Sequence, residues 1–377
     1  MKIGFDGKRI FHNFRGLGNY SRNLVEGIMD FSPENEVIIF TPPFKDERAE
    51  SWAKNQPNAK IITPHSKFFK KYPSIWRSLF LSNEIKKMDL DIYHGLSHEL
   101  PFFVDQLKCK KVVTIHDLIF KRYPEFFSTI DRNIYSIKYS YSCKNADLII
   151  AICEQTKKDL IELMGIPSGK IEVAYQSCNP IFNNQLSNQE RSSIRTKYKL
   201  PENYILFVGA LEPNKNALNL VKAFDDLKSK DLFLVLVGKG KSYKEHILNE
   251  IALRGIKEKV IFYDYIPTED LPGVYQLAKL FVFPSFFEGF GIPIIEALFS
   301  RTPVITTKGH CFPESGGPLT LYVDTSKPAE ISIAINRILE NPDLAKEMIE
   351  RGFQYVQKFR LESTTQRLLD VYKSVNS

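Results

Sequence analysis

The feature that most constrains this chain is a rhythm that plays twice. Short apolar, β-type runs (KIGFD, EVIIFT, DIYHG, KVVTIHD, DLIIAI and KIEVAY) alternate with helical stretches near 20–29, 75–87, 129–144 and 154–164. Runs of this kind, separated by helices, describe a parallel sheet covered by helices on both faces. After Tyr175 comes a polar stretch, NPIFNNQLSNQERSSIRTKYKLPEN, which reads as a connection with a helix inside it. The rhythm then restarts: YILFVG, LFLVLVG, VIFYDYI, LFVFPS and TPVITT alternate with helical segments near 217–228, 242–254, 268–278 and 292–300. The expected architecture is therefore α/β, with two consecutive doubly wound, Rossmann-like domains at 1–180 and 200–360 and a cleft between them. Ligands of such sheets bind beyond the carboxyl ends of the strands, so the loops that follow strands are the places to search.

Composition narrows the class. The chain has 377 residues, 43% of them hydrophobic and 25% charged, enough to bury two cores. Its five cysteines (109, 143, 153, 178 and 311) form no CxxC pair, so neither a zinc site nor a disulfide framework is indicated. MKIGF enters a strand directly, without the apolar core of a signal peptide, and no aliphatic run approaches the ~20 residues of a membrane span. The expectation is a soluble, thiol-reduced, cytoplasmic protein, at most peripheral to the inner membrane face.

The net charge of +7 is uneven. Residues 1–200 hold 30 Lys and Arg against 22 Asp and Glu, while 201–377 hold 21 against 22. Residues 51–83 contain no acid, and HSKFFKKYPSIWRSLF interleaves bases with aromatic rings. Such a segment suits an anionic membrane surface, or is an ordinary amphipathic helix with a solvated basic face. Nucleic acid is not expected as a partner, because no binding motif accompanies the charge.

The loops after strands carry the chemistry. The first, GKRIFHNFRGLGNYSRNLV, places Gly16 and Gly18 ahead of a helix, where backbone can approach an anion; a plain tight turn explains GxG equally well. It is not the dinucleotide fingerprint: Ser21 replaces the third glycine, and no acid follows EVIIFT. KVVTIHD delivers His116 and Asp117, either to position a hydroxyl or as a structural imidazole beside a turn cap. DIYHGLSHELP adds His94, His98 and Glu99, which with His116 raise a metal site only weakly, since HxxxH lies on a loop. VGALEPNKN offers Lys215 at a helix start, where a phosphate could sit. Gly238-Lys239-Gly240 ends the next strand in the same fashion.

The strongest signal is PSFFEGFGIPIIEA, residues 284–297. A strand leads into a glycine turn and then a helix with proline in its first turn. Glu288 lies in the turn and Glu296 about one turn into the helix. Their carboxylates are expected on the order of 10 Å apart, too far for the pair of a retaining glycosidase. An extended ligand with hydroxyls at both ends and phosphates between them fits this layout, and a nucleotide-sugar has that form.

Taken together these pieces resemble glycosyltransferase family 4, the retaining enzymes of GT-B fold with two facing Rossmann-like domains. FVFPSFFEGFGIPIIEA is similar to that family's E-x7-E motif. RGLGNYSRNL, VTIHDL, VGALEPNKN, LVGKG, YIPTEDLPGVYQLA, TPVITT and FPESGGP match in order and spacing, over nearly the whole chain. The resemblance implies that Glu288 contacts the donor sugar, with the amides of Gly289, Phe290 and Gly291 nearby, and that Glu296 holds the ribose. It implies that Lys215 neutralises the diphosphate, with Asn214 beside it and Gly16 and Gly18 against the same phosphates. His116 would lie near the reacting sugar, and Tyr265 and Ile266 would border the base. The final helix, 361–377, would pack back on the first domain.

The implied reaction moves a hexose of mannose or glucose type from a nucleoside-diphosphate sugar to a hydroxyl of a glycan or lipid-linked glycan. It proceeds with retention and without a cofactor or metal, in surface polysaccharide or lipopolysaccharide synthesis. Rival readings on the same fold are a sugar-nucleotide epimerase or hydrolase, and a scaffold that binds nucleotide-sugar without turnover. Three positions depart from the family pattern. Asn214 stands where a base is usual, Ala210 where arginine is usual, and Arg301 where glycine is common before TPV.

Overall fold

The computed structural model describes residues 1–227 and 231–376. The expected helix end at 228 and the last residue of the final helix, 377, lie outside them. The chain divides into two compact units. One joins Met1–Cys178 to Phe359–Ser377, and the other is Asn179–Lys358.

Unit 1 is built on seven strands: β1 (Lys2–Asp6), β2 (Glu36–Phe40), β3 (Ala59–Ile62), β4 (Ile92–Gly95), β5 (Lys110–Ile115), β6 (Leu148–Ala151) and β7 (Ile171–Val173). Their order is β3-β2-β1-β4-β5-β6-β7, and every pairing is parallel. Central strands are covered on both faces and so read as continuous apolar runs; in β1, Ile3 and Phe5 are fully buried. β3, which the periodicity misses, is a partly exposed edge strand of four residues.

The helix Gly16–Phe31 and the final helix Leu361–Asn376 pack closely within this unit. At Gly27 a Cβ would meet the Thr365 hydroxyl at 2.1 Å, so glycine is what lets the two helices approach. The expected helix at 75–87 is broken. Pro73–Ile75 runs into a π-helical turn, Trp76–Phe80, before α-helix resumes at Leu81–Lys86.

Unit 2 has six parallel strands: β8 (Tyr204–Val208), β9 (Phe233–Val237), β10 (Val260–Tyr263), β11 (Leu280–Phe283), β12 (Val304–Thr307) and β13 (Leu321–Val323). Their order is β10-β9-β8-β11-β12-β13. Its core gathers Ile205, Phe207, Leu234, Leu236, Val282 and Ile305, none of them exposed.

Both sheets reverse winding direction once, between β1 and β4 in unit 1 and between β8 and β11 in unit 2. At such switch points the loops after the two central strands diverge and leave a crevice. These four loops lead to Gly16 and Gly18, Glu99, Lys215 and Glu288, while His116 follows the neighbouring β5.

Candidate active site

In unit 2 the loops after β8 and β11 meet. Lys215 ends a 3-10 turn, Pro213–Lys215, and its Nζ lies 2.5 Å from Glu288 Oε1. Read from sequence these residues have separate tasks; the structure joins them as one ion pair, mostly shielded, with 19% and 15% of the side chains exposed. The loops are tied by their backbones as well, for the Phe286 amide donates to the Asn214 carbonyl at 2.9 Å. Asn214 thus acts locally through its main chain.

Asn216, which sequence reasoning passed over, holds the arrangement. It is buried, adopts a left-handed φ of 56°, and its amide nitrogen donates to the Pro284 and Thr325 carbonyls at 3.2 and 2.8 Å. Asparagine tolerates that conformation better than most side chains, and a short amide is what can reach both carbonyls. The signal was present in NKN, but a buried structural asparagine looks like any loop asparagine in sequence.

Past Glu288 the turn continues through Gly289 and Phe290, whose side chain is buried, to Gly291 at φ 103°. Only glycine adopts that backbone readily, and it starts the helix Ile292–Phe299 without a side-chain cap. Glu296 sits on this helix and accepts a hydrogen bond from the Tyr275 hydroxyl at 3.1 Å. Burial pushes its carboxyl up to about 7, against which the tyrosine bond works only partly.

Other expectations resolve locally. Tyr265 is 67% exposed and Ile266 is 2% exposed, so of the two only Tyr265 presents its side chain to solvent. The glycines of GKG are required by chain packing: a Cβ on Gly238 would lie 1.8 Å from the Gly209 carbonyl, and one on Gly240 2.6 Å from Leu211 Cβ. Beside them, Ala210 is flanked by backbone bonds from Gly209 to Val237 and from Leu211 to Lys239. Arg301 has a left-handed φ of 60°, which explains why glycine is common there, and its guanidinium stacks 4.1 Å over the Phe353 ring.

In unit 1, Gly16 begins its helix with open space around it, but Gly18 does not: a Cβ there would lie 1.6 Å from the Asn13 carbonyl. Gly18 is thereby explained by the return of the loop over the helix. His116 is buried at the end of β5, and its Nε2–H donates to the Leu96 carbonyl at 2.9 Å. Its own amide donates to His98 Nδ1 at 3.3 Å. Burial lowers its pKa to about 4, so the ring is neutral, with the proton on Nε2 and the Nδ1 lone pair bare. Asp117 accepts from the Ile119 amide at 3.2 Å, a turn cap.

His94 is not poised for a metal. Its two nitrogens are engaged by the Tyr372 hydroxyl at 2.6 Å and the Thr114 hydroxyl at 2.8 Å, and Thr114 in turn meets Tyr20 at 3.0 Å. Among the described residues no group of three or more His, Cys, Asp or Glu could hold a metal ion.

Two Rossmann-like units, each with its unusual residues at a switch point, define the GT-B class of glycosyltransferases. Residues 14–180 match the family model described as Glycosyltransferase Family 4, and residues 188–355 the model described as Glycosyl transferases group 1. The chain belongs to this glycosyltransferase family and is an enzyme of that type. It is 27% identical to O-antigen chain mannosyltransferase B of Escherichia coli, over 99% of this chain and all of the relative. It is 28% identical to O-antigen chain mannosyltransferase RfbU of Salmonella typhimurium, over 81% of each. Among solved structures it is similar in fold to HepE of Anabaena in complex with UDP and glucose (TM-score 0.78, 17% identity, 99% of this chain and 100% of that one). It is likewise similar to sucrose-phosphate synthase of Thermosynechococcus elongatus (TM-score 0.79, 20% identity, 100% and 99%).

Proposed function

We propose that this enzyme transfers a hexose, of mannose type, from a nucleoside-diphosphate sugar to a hydroxyl of a glycan or lipid-linked glycan, with retention of configuration, in surface polysaccharide or lipopolysaccharide synthesis. The observation that carries the reading is the Lys215–Glu288 pair at the unit 2 switch point, with Glu296 below it on the helix that follows. A lysine held there can hand its charge to a departing diphosphate while Glu288 turns to sugar hydroxyls. Glu296 would accept the ribose hydroxyls, and Tyr265 would border the base. Gly16 would admit phosphate to the helix start in unit 1, and the bare Nδ1 of His116 would accept a hydrogen bond from a reacting hydroxyl. The leaving phosphate takes the acceptor proton, so no carboxylate base is required, and Lys215 supplies the positive charge without a metal.

The mannose assignment rests on the names of the relatives, both O-antigen mannosyltransferases. Nucleotide-sugar as donor is supported by UDP and glucose in the HepE complex. These findings do not favour an epimerase, a hydrolase or a scaffold. A thermal-shift screen of nucleotide-sugars tests the donor, since a ligand that binds only the folded state raises its midpoint by mass action. Selective stabilisation by GDP-mannose is expected; stabilisation by no nucleotide-sugar would sink the reading.

An anionic membrane surface is part of the proposal. Phe68, Tyr72, Ile75, Leu79 and Phe80 are all at least 38% exposed, and Lys67, Lys70 and Lys71 lie among them. Among the described residues no helix is long and apolar enough to cross a membrane. Liposomes with anionic lipid should bind the protein at low salt and release it at high salt; absence of binding at low salt removes this part.

A further inference from the structure

The helix Thr129–Asn145 of unit 1 has two apolar faces, and the unit uses one of them. Tyr139, Ser142 and Cys143 turn inward and are buried. The Tyr139 ring stacks on His98 with centroids 4.7 Å apart, and the Ser142 hydroxyl accepts the Leu100 amide at 2.9 Å. On the opposite face Ile130, Ile134 and Ile137 are 72%, 45% and 64% exposed. Their spacing of four and three residues lines them along one stripe, roughly 10 Å long at the helical rise. Phe126, just ahead of the helix, and Tyr135, beside the stripe, are exposed as well. A surface helix needs a single apolar stripe to hold it to its core, so the isoleucines on the far side add nothing to that attachment. Contiguous exposed apolar groups of this kind mark a contact surface.

Charge identifies what covers it. Asp131 and Lys138 are seven residues apart, about two helical turns, so both lie along the same flank of the stripe. Asp131 Oδ2 accepts the Ser128 hydroxyl at 2.7 Å, which leaves Oδ1. Lys138 gives one N–H to Glu99 Oε1 at 3.1 Å, which leaves two. A stripe with an acid towards one end and a base towards the other complements itself when reversed. A two-fold axis crossing the helix at Ile134 sets Ile134 against its own copy, Ile130 against the partner's Ile137 and Asp131 against the partner's Lys138. A parallel pairing would instead hold each charge level with its own copy. An anionic bilayer is the poorer occupant. Asp131 lies on the flank between Ile130 and Ile134, whereas residues 51–83, the stretch suited to such a surface, contain no acid.

We propose that the chain self-associates through this face: two copies of the helix Thr129–Asn145 pack antiparallel about a two-fold axis at Ile134, with Asp131 and Lys138 fixing the direction. The contact is isologous, so it closes at two copies. One helix per copy is a small contact beside the ~800 Å² per partner of standard interfaces, so association depends on concentration.

Sedimentation velocity on the full chain, from about 1 to 200 μM, tests the dimer. Wild type should pass from monomer to dimer across this range. Ile134→Asp should stay monomeric with an unchanged unfolding midpoint, because that side chain packs on nothing within the unit's core. Asp131→Lys and Lys138→Glu should each weaken the dimer about fivefold or more, since each makes both charge pairs repulsive. Mixed in equal amounts, these two variants should dimerise as wild type does, because every pair across the axis is then opposite in sign. Should Lys138→Glu fail to fold beside Glu99, Ile134→Asp and Asp131→Lys decide alone. A wild type monomeric throughout, a dimer untouched by Ile134→Asp, or no recovery in the mixture would each overturn the proposal. A monomeric wild type whose binding to vesicles of phosphatidylglycerol and phosphatidylethanolamine is lost in Ile134→Asp would give this face to the membrane and likewise overturn it.

Discussion

Lys215 and Glu288 neutralise each other at 2.5 Å across two loops that are 73 residues apart in sequence. On the proposed mechanism each holds the other's place until a ligand supplies an anion for the lysine and hydroxyls for the carboxylate. Lys215→Ala and Glu288→Ala should each lower kcat/KM about tenfold or more. Because removing either leaves the other unpaired, the double variant should lie close to the worse single one, a coupling read from a double-mutant cycle. Strict additivity would show that the two act separately.

On the role proposed for Glu296, donor binding should depend on pH. Its carboxyl is raised to about 7 in the fold, so the folded state binds more protons than the unfolded chain between about pH 4.5 and 7. Stability from this group is thus present at low pH and declines as pH rises through 7. If the carboxylate holds the ribose hydroxyls as proposed, donor affinity should rise over the same interval. Glu296→Gln should flatten both dependences and raise donor KM more than it lowers kcat, as measured by calorimetry and initial rates. An unchanged pH profile in the variant would remove Glu296 from the ribose.

The two glycines of the first loop should part company. Gly18→Ala forces a Cβ to 1.6 Å from a backbone carbonyl and should lower the unfolding midpoint by several degrees, about 1–3 kcal/mol. Gly16→Ala meets nothing within 4 Å and should leave the midpoint unchanged. If Gly16 admits phosphate, the same variant raises donor KM; an unaltered KM withdraws that role.

The buried histidines set the acid limit. His116 is held at about 4 and His94 at about 3, chiefly by burial, both below the ordinary imidazole value. Lowered values mean that the unfolded chain takes up protons first, so stability is lost as pH falls from about 6.5 towards 4. His94→Gln should reduce the slope of that loss in urea titrations across this range. A slope equal to that of wild type would place the proton uptake elsewhere.

The fold was legible because buried parallel strands announce themselves as apolar runs, and 154–164 and 242–254 were read to their ends. The short edge strands β3 and β13 were missed because partial exposure dilutes their pattern. The broken helix at 73–86 was hidden because a π-turn inserts without a glycine, and its consequence, Arg77 turned inward, is invisible at sequence level. In the candidate site, Lys215 was singled out by its place at a helix start and Glu288 and Glu296 by the turn glycines, but the Lys215–Glu288 pairing was not, since contact between distant loops is a property of the sheet order. Asp6 ends its strand as plainly as His116 follows another, yet only the structure joins it to Arg77 and Glu99.

Unit 2 runs unbroken from Asn179 to Lys358, while unit 1 is made of two pieces. The pieces adjoin where the chain leaves and returns, with the Tyr175 and Phe359 rings 5.3 Å apart, edge to face. In genetic terms unit 2 is a cassette: excising it and bridging its exit and re-entry points with a short linker should yield unit 1 as a folded protein, with Tyr372 still on His94. Truncation at 358 should not, since it strips away the helix that seals the sheet. Unit 2 could thus be exchanged through two neighbouring splice points without disturbing unit 1.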